Sequence, residues 1–352
     1  MLSKSFIKKF LKVFLIIGIN LACRLSVSAQ ITQADSILIK TEAFINDFLY
    51  KNHDTTYISN FSNQIALKIL GVTKFTFFGV NDRNQNSNIR YRPDRQVNLG
   101  FGIAYKFFAI DVAFNVGLQE ESELDRRFFD FQGRVFSSKH FFEAIYQYYY
   151  GYKITRYNND TAGIPEDSRI RNDIRTINVG IQYLYAFNYG RFSLKAPFVQ
   201  NEIQKKSAGS TIGGINFTMY TMGSDSSIVP SELQGGFDEK LYLNDINITS
   251  LVFSFGYMYS FVWHESFFIT LGAIPGLSLN FGDYEAPYRN KFSANVSVRL
   301  RSMNAIGYNG RRFFTGLQLI ADLLSARIDK GLRFSSSHGS SKLFVGYRFG
   351  GR

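Results

Sequence analysis

The chain has 352 residues, including 36 Phe and 21 Tyr, and no change of composition divides it into two domains. Its net charge is +12, but five of the 40 basic residues and none of the 28 acidic ones lie in residues 1–29, so the remainder carries +7. The one cysteine, Cys23, lies in that segment and no nucleic-acid motif accompanies the charge. We therefore exclude disulfide or thiolate chemistry and nucleic-acid binding for the rest of the chain.

Residues 1–29 have the features of a signal peptide. Four lysines between positions 4 and 12 overlap the start of an apolar core at residues 10–23, and Val27-Ser28-Ala29 supplies small residues before a cut ahead of Gln30. A retained anchor is the alternative, and a lipoprotein attached at Cys23 fits the preceding residues poorly. Since no later stretch reaches the ~18–20 apolar residues of a membrane helix, a membrane-embedded mature chain would span as strands.

Residues 30–60 are predicted to form a periplasmic helix and linker. Apolar side chains such as Ile37, Leu38, Phe44 and Phe48 recur with helical spacing over residues 35–50. The polar residues 51–57 then lead into the next segment. The predicted domains are thus a signal peptide at 1–29, this helix and linker, and one β-domain at 61–352.

Residues 61–352 mostly alternate between polar and apolar side chains, which on a strand point to opposite faces. The predicted strands cover residues 62–80, 97–107, 110–118, 126–136, 141–154, 173–187, 192–203, 211–222, 247–259, 267–281, 289–302, 313–325 and 341–349. Residues 81–94 are predicted as a loop. Bacterial membrane barrels have an even number of strands. Treating residues 192–222 as one long kinked arm gives twelve, and a strand within 223–243 would give fourteen.

The alternation is strongest between residues 289 and 301. One parity carries the cations Arg289, Lys291, Arg299 and Arg301. The other parity is apolar, as at Val296, Val298 and Leu300. A cation facing mid-bilayer lipid costs about 2–4 kcal/mol, so the cations are predicted to face a water-filled lumen and the apolar residues to face lipid. The fold class is therefore all-β, a single antiparallel transmembrane β-barrel, with a soluble β-sandwich as the alternative.

This cationic stripe has two interpretations. It could give a channel anion selectivity. We favour the alternative that the lumen is packed by salt bridges from the stripe to Glu143, Asp130 and Asp111, because small barrels fill their interiors with such networks.

The segment Gln204, Lys205, Lys206, Ser207, Ala208, Gly209 and Ser210 places two cations before three small residues and a hydroxyl. The lysines could hold a phosphate of lipopolysaccharide. We favour a structural role, in which the glycine and the serines make a bend in a long strand.

Three stretches resemble a known family: Tyr91-Arg92-Pro93 followed by residues 99–106, the segment 204–210, and residues 272–277. Over about 55–350 the chain is similar to an uncharacterised family of outer-membrane β-barrel proteins, a domain of unknown function, from Bacteroides-like bacteria. The resemblance implies the barrel fold and the outer membrane, after signal cleavage near Ala29, and implies no activity. The expected partners are outer-membrane lipid, including lipopolysaccharide, and the barrel insertion machinery, which reads aromatic C-terminal strands such as 341–349.

No cofactor, catalytic residue or metal site is predicted, because the four histidines lack metal-ligand spacing and no phosphate loop, dinucleotide fingerprint or nucleophile elbow occurs. We expect a non-enzymatic envelope protein or a narrow channel for an unknown solute. One alternative is a lipid-modifying hydrolase using His338, which lies in a Ser-rich segment. Another is a binding platform for a partner protein through residues 223–243 or the helix at 35–50.

Overall fold

The computed structural model describes residues 53–61, 63–93, 96–105, 108–115, 127–158, 164, 169–286 and 289–350. The predicted signal peptide, its cut near Ala29 and the predicted helix at 35–50 lie outside these residues and stay predictions. For Arg289 and Lys291 the description covers the backbone alone.

The described chain is almost entirely β-strand. Its strands are β1 Ile58–Asn60, β2 Ile65–Asp82, β3 Ser87–Arg92, β4 Gln96–Tyr105, β5 Phe108–Asn115, β6 Arg127–Phe136, β7 His140–Tyr157, β8 Ile170–Ala186, β9 Glu202–Gln204, β10 Ala208–Gly223, β11 Asp245–Trp263, β12 Phe267–Ala286, β13 Arg289–Asn309, β14 Phe313–Asp329 and β15 Leu332–Phe349. A single helical turn, α1, covers Lys195–Phe198, and two 3-10 helices cover Ser231–Gly236 and Glu239–Leu241. No helix in this part of the chain has the length and hydropathy to cross a bilayer.

Ten of the described strands close into an antiparallel ring. Their order is β15-β14-β13-β12-β11-β10-β8-β7-β3-β2, and β2 pairs back onto β15. We call the end where Ile65 pairs with Phe349 the proximal end, and the end where Asp82 pairs with Leu332 the distal end. Each strand in this order has a neighbour on both sides, and β3 closes the ring between β2 and β7 at the distal end. The predicted all-β, antiparallel barrel is therefore confirmed.

The predicted count of twelve strands, or fourteen, is wrong for this ring, since β4, β5 and β6 are not among its ten described strands and pair beside them, β4 with β2 and β6 with β7. The cause is that β2 has two partners on one edge, β4 along its proximal part and β3 along its distal part. Residues 81–94, predicted as a loop, contain β3. A tight turn creates this strand, because the Asp82 carboxylate accepts the backbone N–H groups of Asn84 and Gln85.

Residues 187–207, which we call the proximal plug, fold into the barrel from its proximal end. The predicted strand at 192–203 and the predicted kinked arm at 192–222 are wrong, because this segment contains α1 and the short β9, and the ring strand β10 begins only at Ala208. Its apolar side chains, such as Phe192 and Phe198, are buried against the barrel interior. Residues 192–203 have the alternating pattern of a wall strand, but they pack in the core of the barrel.

Residues 224–244, which we call the distal plug, close the opposite end. This segment holds the two 3-10 helices and no strand, so the fourteenth strand proposed there is absent. Its buried side chains are Ile228, Val229, Leu233, Phe237, Leu241 and Leu243. They pack with inward residues of the barrel wall, such as Phe78 and Phe334, in one apolar cluster.

The two halves of the barrel differ in which face is apolar. In the proximal half the outward face is apolar, with Phe313, Leu317 and Leu319 of β14 exposed. In the distal half the order is reversed, since Phe334 of β15 is buried inside while the adjacent Ser335 is exposed. The expected apolar exterior therefore holds for the proximal half. The expected water-filled interior is wrong, because apolar clusters occupy both ends of the lumen.

Candidate functional site

A layer of charged side chains lies in the lumen between the two apolar clusters. We call Arg134, Glu143, Arg299, Arg301 and Asp322 the charge layer. Strand register builds two of its contacts, because Arg134 pairs with Glu143 across β6 and β7, and Arg301 pairs with Asp322 across β13 and β14.

The charge layer is tightly paired. Arg299 donates from Nε to Asp322 Oδ1 at 2.5 Å and from Nη2 to Oδ2 at 2.6 Å, a bidentate arrangement. Arg134 Nε donates to Glu143 Oε1 at 2.5 Å. Arg301 Nη2 lies 2.7 Å from Glu143 Oε2 and its Nη1 lies 3.3 Å from Asp322 Oδ2. One continuous chain of ion pairs therefore joins three arginines through two carboxylates.

The contact between Arg301 and Glu143 crosses the lumen. Arg301 lies on β13 and Glu143 on β7, five strands apart by way of β12, β11, β10 and β8. Opposite walls are thus linked by one ion pair. The Arg301 side chain is 3% exposed and the Glu143 side chain 5%. The layer consequently fills the middle of the lumen.

The predicted stripe is only partly placed by the structure. Arg299 and Arg301 point inward, whereas the side chains of Arg289 and Lys291 lie outside the described part. Of the three carboxylates named from the sequence, Glu143 contacts Arg301, Asp130 contacts Lys74 at 2.8 Å, and Asp111 contacts Lys68 and Lys342.

Asp322, which was not predicted from the sequence, binds both described arginines of the stripe. The signal for it was present, because the two-residue period of β14 places Asp322 on the same face as the buried Phe314 and Gln318. An acidic residue on that parity has to lie inside the barrel.

A second cluster holds the proximal plug. The buried Glu202 carboxylate accepts from Ser193 Oγ at 2.5 Å and lies 3.2 Å from Lys195 Nζ. His53 Nε2 lies 3.2 Å from Glu202 Oε1 and 3.1 Å from Ser138 Oγ. A catalytic triad has its acid and its hydroxyl on different ring nitrogens. Here both contact Nε2, so the cluster is an ion-pair anchor for the segment before β1.

The 204–210 segment fastens the plug to the wall. Gln204 accepts from the Ser193 backbone N–H at 2.8 Å and donates to the Arg191 carbonyl at 2.6 Å. Ser210 Oγ accepts from the Asn188 backbone N–H at 2.9 Å.

The small residues of this segment allow close packing. A side chain at Gly209 would collide with the rings of Tyr257 and Tyr259 on β11. Ala208 is buried, and Ser207 Oγ accepts from the Val262 backbone N–H at 2.9 Å.

The two lysines of the segment contact residue 57. The Lys205 backbone N–H donates to the Tyr57 carbonyl at 2.7 Å, and the Lys206 ammonium lies 5.6 Å from the centre of the Tyr57 ring. These contacts join the plug to the segment around β1.

Inward-facing side chains of the ring strands β13, β14 and β15 hydrogen-bond to the proximal plug. Asn309 donates to the Glu202 carbonyl at 2.9 Å, and Gln318 donates to the Pro197 carbonyl at 2.8 Å. Arg348 Nε donates to the Gln200 carbonyl at 2.8 Å, and its guanidinium lies 4.8 Å from the centre of the Phe314 ring. Buried donors on three strands therefore satisfy the Glu202, Pro197 and Gln200 carbonyls of the plug.

The site offers no described metal centre. Among the described side chains, no group of three His, Cys, Asp or Glu residues is arranged to hold a metal ion. His338, the residue named in the alternative hydrolase hypothesis, pairs in register with Asp322 and with Thr76, at mid-height of the barrel wall.

The charges of the plug cluster set the protonation of His53. Burial lowers the pKa of His53, but its hydrogen bond to Glu202 and the Glu202 charge outweigh burial, so the pKa lies above the ordinary 6.5. Burial raises the pKa of Glu202, but Lys195 and the His53 hydrogen bond hold it well below its usual range. The folded protein therefore favours an imidazolium paired with a carboxylate.

We expect deprotonation of His53 to loosen β1 from β9. Because the folded-state pKa is raised, the stabilisation is complete below pH 6.5 and is lost as the pH rises through the folded-state value. Hydrogen-exchange protection factors of Ile58–Asn60 should fall as the pH rises from about 6 to about 8. A His53→Gln variant should show a flat profile, and the same slope in both proteins would contradict this account.

We expect Asp322→Asn to destabilise the barrel by about 3–5 kcal/mol, because it leaves two buried arginines without their carboxylate. Asp329→Asn on the same strand is the matched control, since Asp329 lies 3.2 Å from Lys240 in a partly exposed pair worth less than about 1 kcal/mol. Urea unfolding of the refolded proteins in detergent measures both. Equal urea unfolding midpoints for the two variants would show that pairing with Asp322 does not stabilise the charge layer strongly.

Three solved structures illustrate what this chain is similar to. The outer membrane protease OmpT from Escherichia coli is 8% identical, with 84% of this chain and 100% of that chain covered and a TM-score of 0.37. The translocator domain of the autotransporter NalP from Neisseria meningitidis is 10% identical, with coverages of 90% and 96% and a TM-score of 0.31. Ail, the attachment invasion locus protein of Yersinia pestis, is 10% identical, with coverages of 82% and 99% and a TM-score of 0.23. At these values the likeness carries no conclusion about activity.

No curated protein matches the chain. Residues 52–349, however, match the family described as Domain of unknown function (DUF4421). The match includes all the described strands, both plugs and the whole charge layer. The resemblance to a domain of unknown function is thereby confirmed, whereas an origin in Bacteroides-like bacteria stays a prediction. The chain belongs to the DUF4421 family.

Proposed function

We propose that this protein is an integral outer-membrane barrel with a closed lumen and a non-enzymatic role in the cell envelope. The membrane assignment is supported by the apolar outer face of the proximal half. On β14 this face runs from Phe313 to Leu323. Ten residue steps of ~3.3 Å along a strand tilted by about 40° give a band about 25 Å tall, which is the height of the apolar band on such barrels.

The orientation follows from the termini of the barrel. The proximal end, where the first ring strand begins and the last one ends, faces the periplasm in this proposal, and the distal end faces outward. The ring strands reach 21 residues in β13, about twice the 9–11 residues needed to cross a bilayer, so the distal half projects into water. Its reversed pattern, with an apolar interior and a polar exterior, suits that position.

The closed lumen is the observation that carries the proposal. Within the described residues the distal plug, the charge layer and the proximal plug occupy the lumen one above the other. The ion pair between Arg301 and Glu143 spans the lumen between opposite walls. This arrangement argues against the narrow channel among our expectations and favours a structural envelope role.

The alternatives have less support. The hydrolase hypothesis needs a Ser/His pair at the outer rim, but His338 lies six residues from the distal end of β15, about 20 Å along the strand, and inside the barrel. The platform hypothesis uses residues 223–243 or the helix at 35–50. The apolar side chains of the distal plug contact the barrel interior instead of facing outward, and the helix lies outside the described residues.

The proposed partners are outer-membrane lipid, including lipopolysaccharide, and the barrel insertion machinery. Arg90 near the distal end of the wall is exposed and lies 4.7 Å from the centre of the Phe77 ring. A cation stacked on an aromatic ring above the apolar band is suited to the phosphates of lipopolysaccharide.

The outward residues Leu343, Val345, Tyr347 and Phe349 give β15 the apolar terminal face expected for recognition during insertion.

We expect Leu319→Arg to lower the free energy of unfolding in lipid vesicles by about 2–4 kcal/mol, because the position faces mid-bilayer. Ser325→Arg is the matched control. It faces outward on the same strand, two residues before the natural Arg327, and should cost about 1 kcal/mol or less. Urea titration by Trp263 fluorescence measures both. If the two variants lose the same stability, the proximal half does not contact lipid.

We expect the mature protein to give no conductance steps in planar bilayers at either voltage sign, because the lumen is bridged and capped. Heat-modified electrophoretic mobility and protease protection in the same vesicles establish that the protein is folded and inserted. Reproducible current steps that disappear after heat denaturation would overturn the closed-lumen proposal.

A further inference from the structure

A cavity of about 90 Å³ lies inside the barrel beside the proximal plug. This is several times the space that one water molecule needs. Its polar lining comes from Lys68, Lys342, Arg134, Asp111, Gln132 and Gln318. The cavity therefore brings together three cationic side chains and a single carboxylate.

Lys68 and Lys342 share one carboxylate. Lys68 Nζ lies 3.0 Å from Asp111 Oδ1, and Lys342 Nζ contacts Asp111 Oδ2. Gly102 makes this geometry possible, because it pairs with Lys68 on one side and with Asp111 on the other. A side chain at Gly102 would collide with both residues. The lack of a Cβ at Gly102 thus brings Lys68 next to Asp111, and Asp111 also pairs with Lys342 of β15.

Arg134 extends the positive charge to the charge layer. Its partner Glu143 is shared with Arg301, whose other partner Asp322 is shared with Arg299. Around the cavity and the charge layer together, five described cations therefore face three described carboxylates. Taking an unbalanced charge out of water is costly, so an excess of two positive charges among these mostly buried, described side chains favours a bound anion.

We propose that this cavity binds a phosphate group, held by Lys68, Lys342 and Arg134. Ammonium and guanidinium groups form their strongest hydrogen bonds with such oxygens. Phe136 and Phe198 form an apolar side of the cavity that suits an uncharged remainder of the ligand. The phosphate is either a free soluble ion or the headgroup of an anionic lipid, and the proposal is independent of the role of the protein in the envelope.

The test uses the mature protein refolded in an uncharged detergent without phosphate. Phosphorus NMR follows the binding of inorganic phosphate in one arm. In the other it follows phosphatidylglycerol in mixed micelles, with phosphatidylcholine as the reference. The variants Lys342→Gln and Asp111→Asn change the cavity in opposite directions. Lys240→Gln, a lysine paired with Asp329 at the distal end, is the matched control.

We expect Lys342→Gln to weaken binding about tenfold, because one charge-assisted hydrogen bond is lost. Asp111→Asn should strengthen binding, because it removes the carboxylate that competes for both lysines, and Lys240→Gln should bind as the natural protein does. If inorganic phosphate shows this pattern of affinities, the ligand is a soluble ion. If only phosphatidylglycerol shows it, the ligand is a lipid headgroup. The proposal is overturned if neither probe binds, or if all variants bind with equal affinity. The Asp111→Asn arm keeps the test decisive if Lys342→Gln fails to fold.

Discussion

The contact between Arg301 and Glu143 joins opposite walls of the barrel, and much of the interior is arranged around it. Two buried charges are stable only when each is paired and hydrogen-bonded. Arg301 accordingly also contacts Asp322, and Glu143 also contacts Arg134. A lumen crossed by such a pair cannot be a wide water-filled path, so the same interaction constrains both the packing and the function.

The plugs follow from the same need to fill a cylinder. A ring of ten strands leaves an interior too wide for its own side chains to fill everywhere, and apolar residues such as Phe198 and Phe237 occupy the ends. Backbone inserted into a barrel brings unpaired carbonyls with it. Arg348, Gln318 and Asn309 satisfy these groups on the proximal plug. The chain between β8 and β10 is thus part of the barrel core.

The positive excess around the cavity has a different origin from the paired charge layer. Lys68, Lys342 and Asp111 lie on three different strands, and Gly102 leaves the room in which Lys68 reaches Asp111. The arrangement has fewer carboxylates than pairing alone would require. That imbalance separates a cavity suited to a ligand from a network suited only to stability.

The two-residue period by itself determined the fold class, the inward direction of Arg299 and Arg301, and most strand positions, because side-chain direction on a strand depends only on parity. It also placed Asp322 inside, although that implication was overlooked. Parity could not separate an apolar side chain facing lipid from one facing a plug, which is why residues 192–203 were assigned to the wall. Nor could it show that β3 bridges β2 and β7, that Arg301 reaches Glu143, or that two lysines share Asp111. Those contacts join residues far apart in the chain, and only the closure of the ring brings them together.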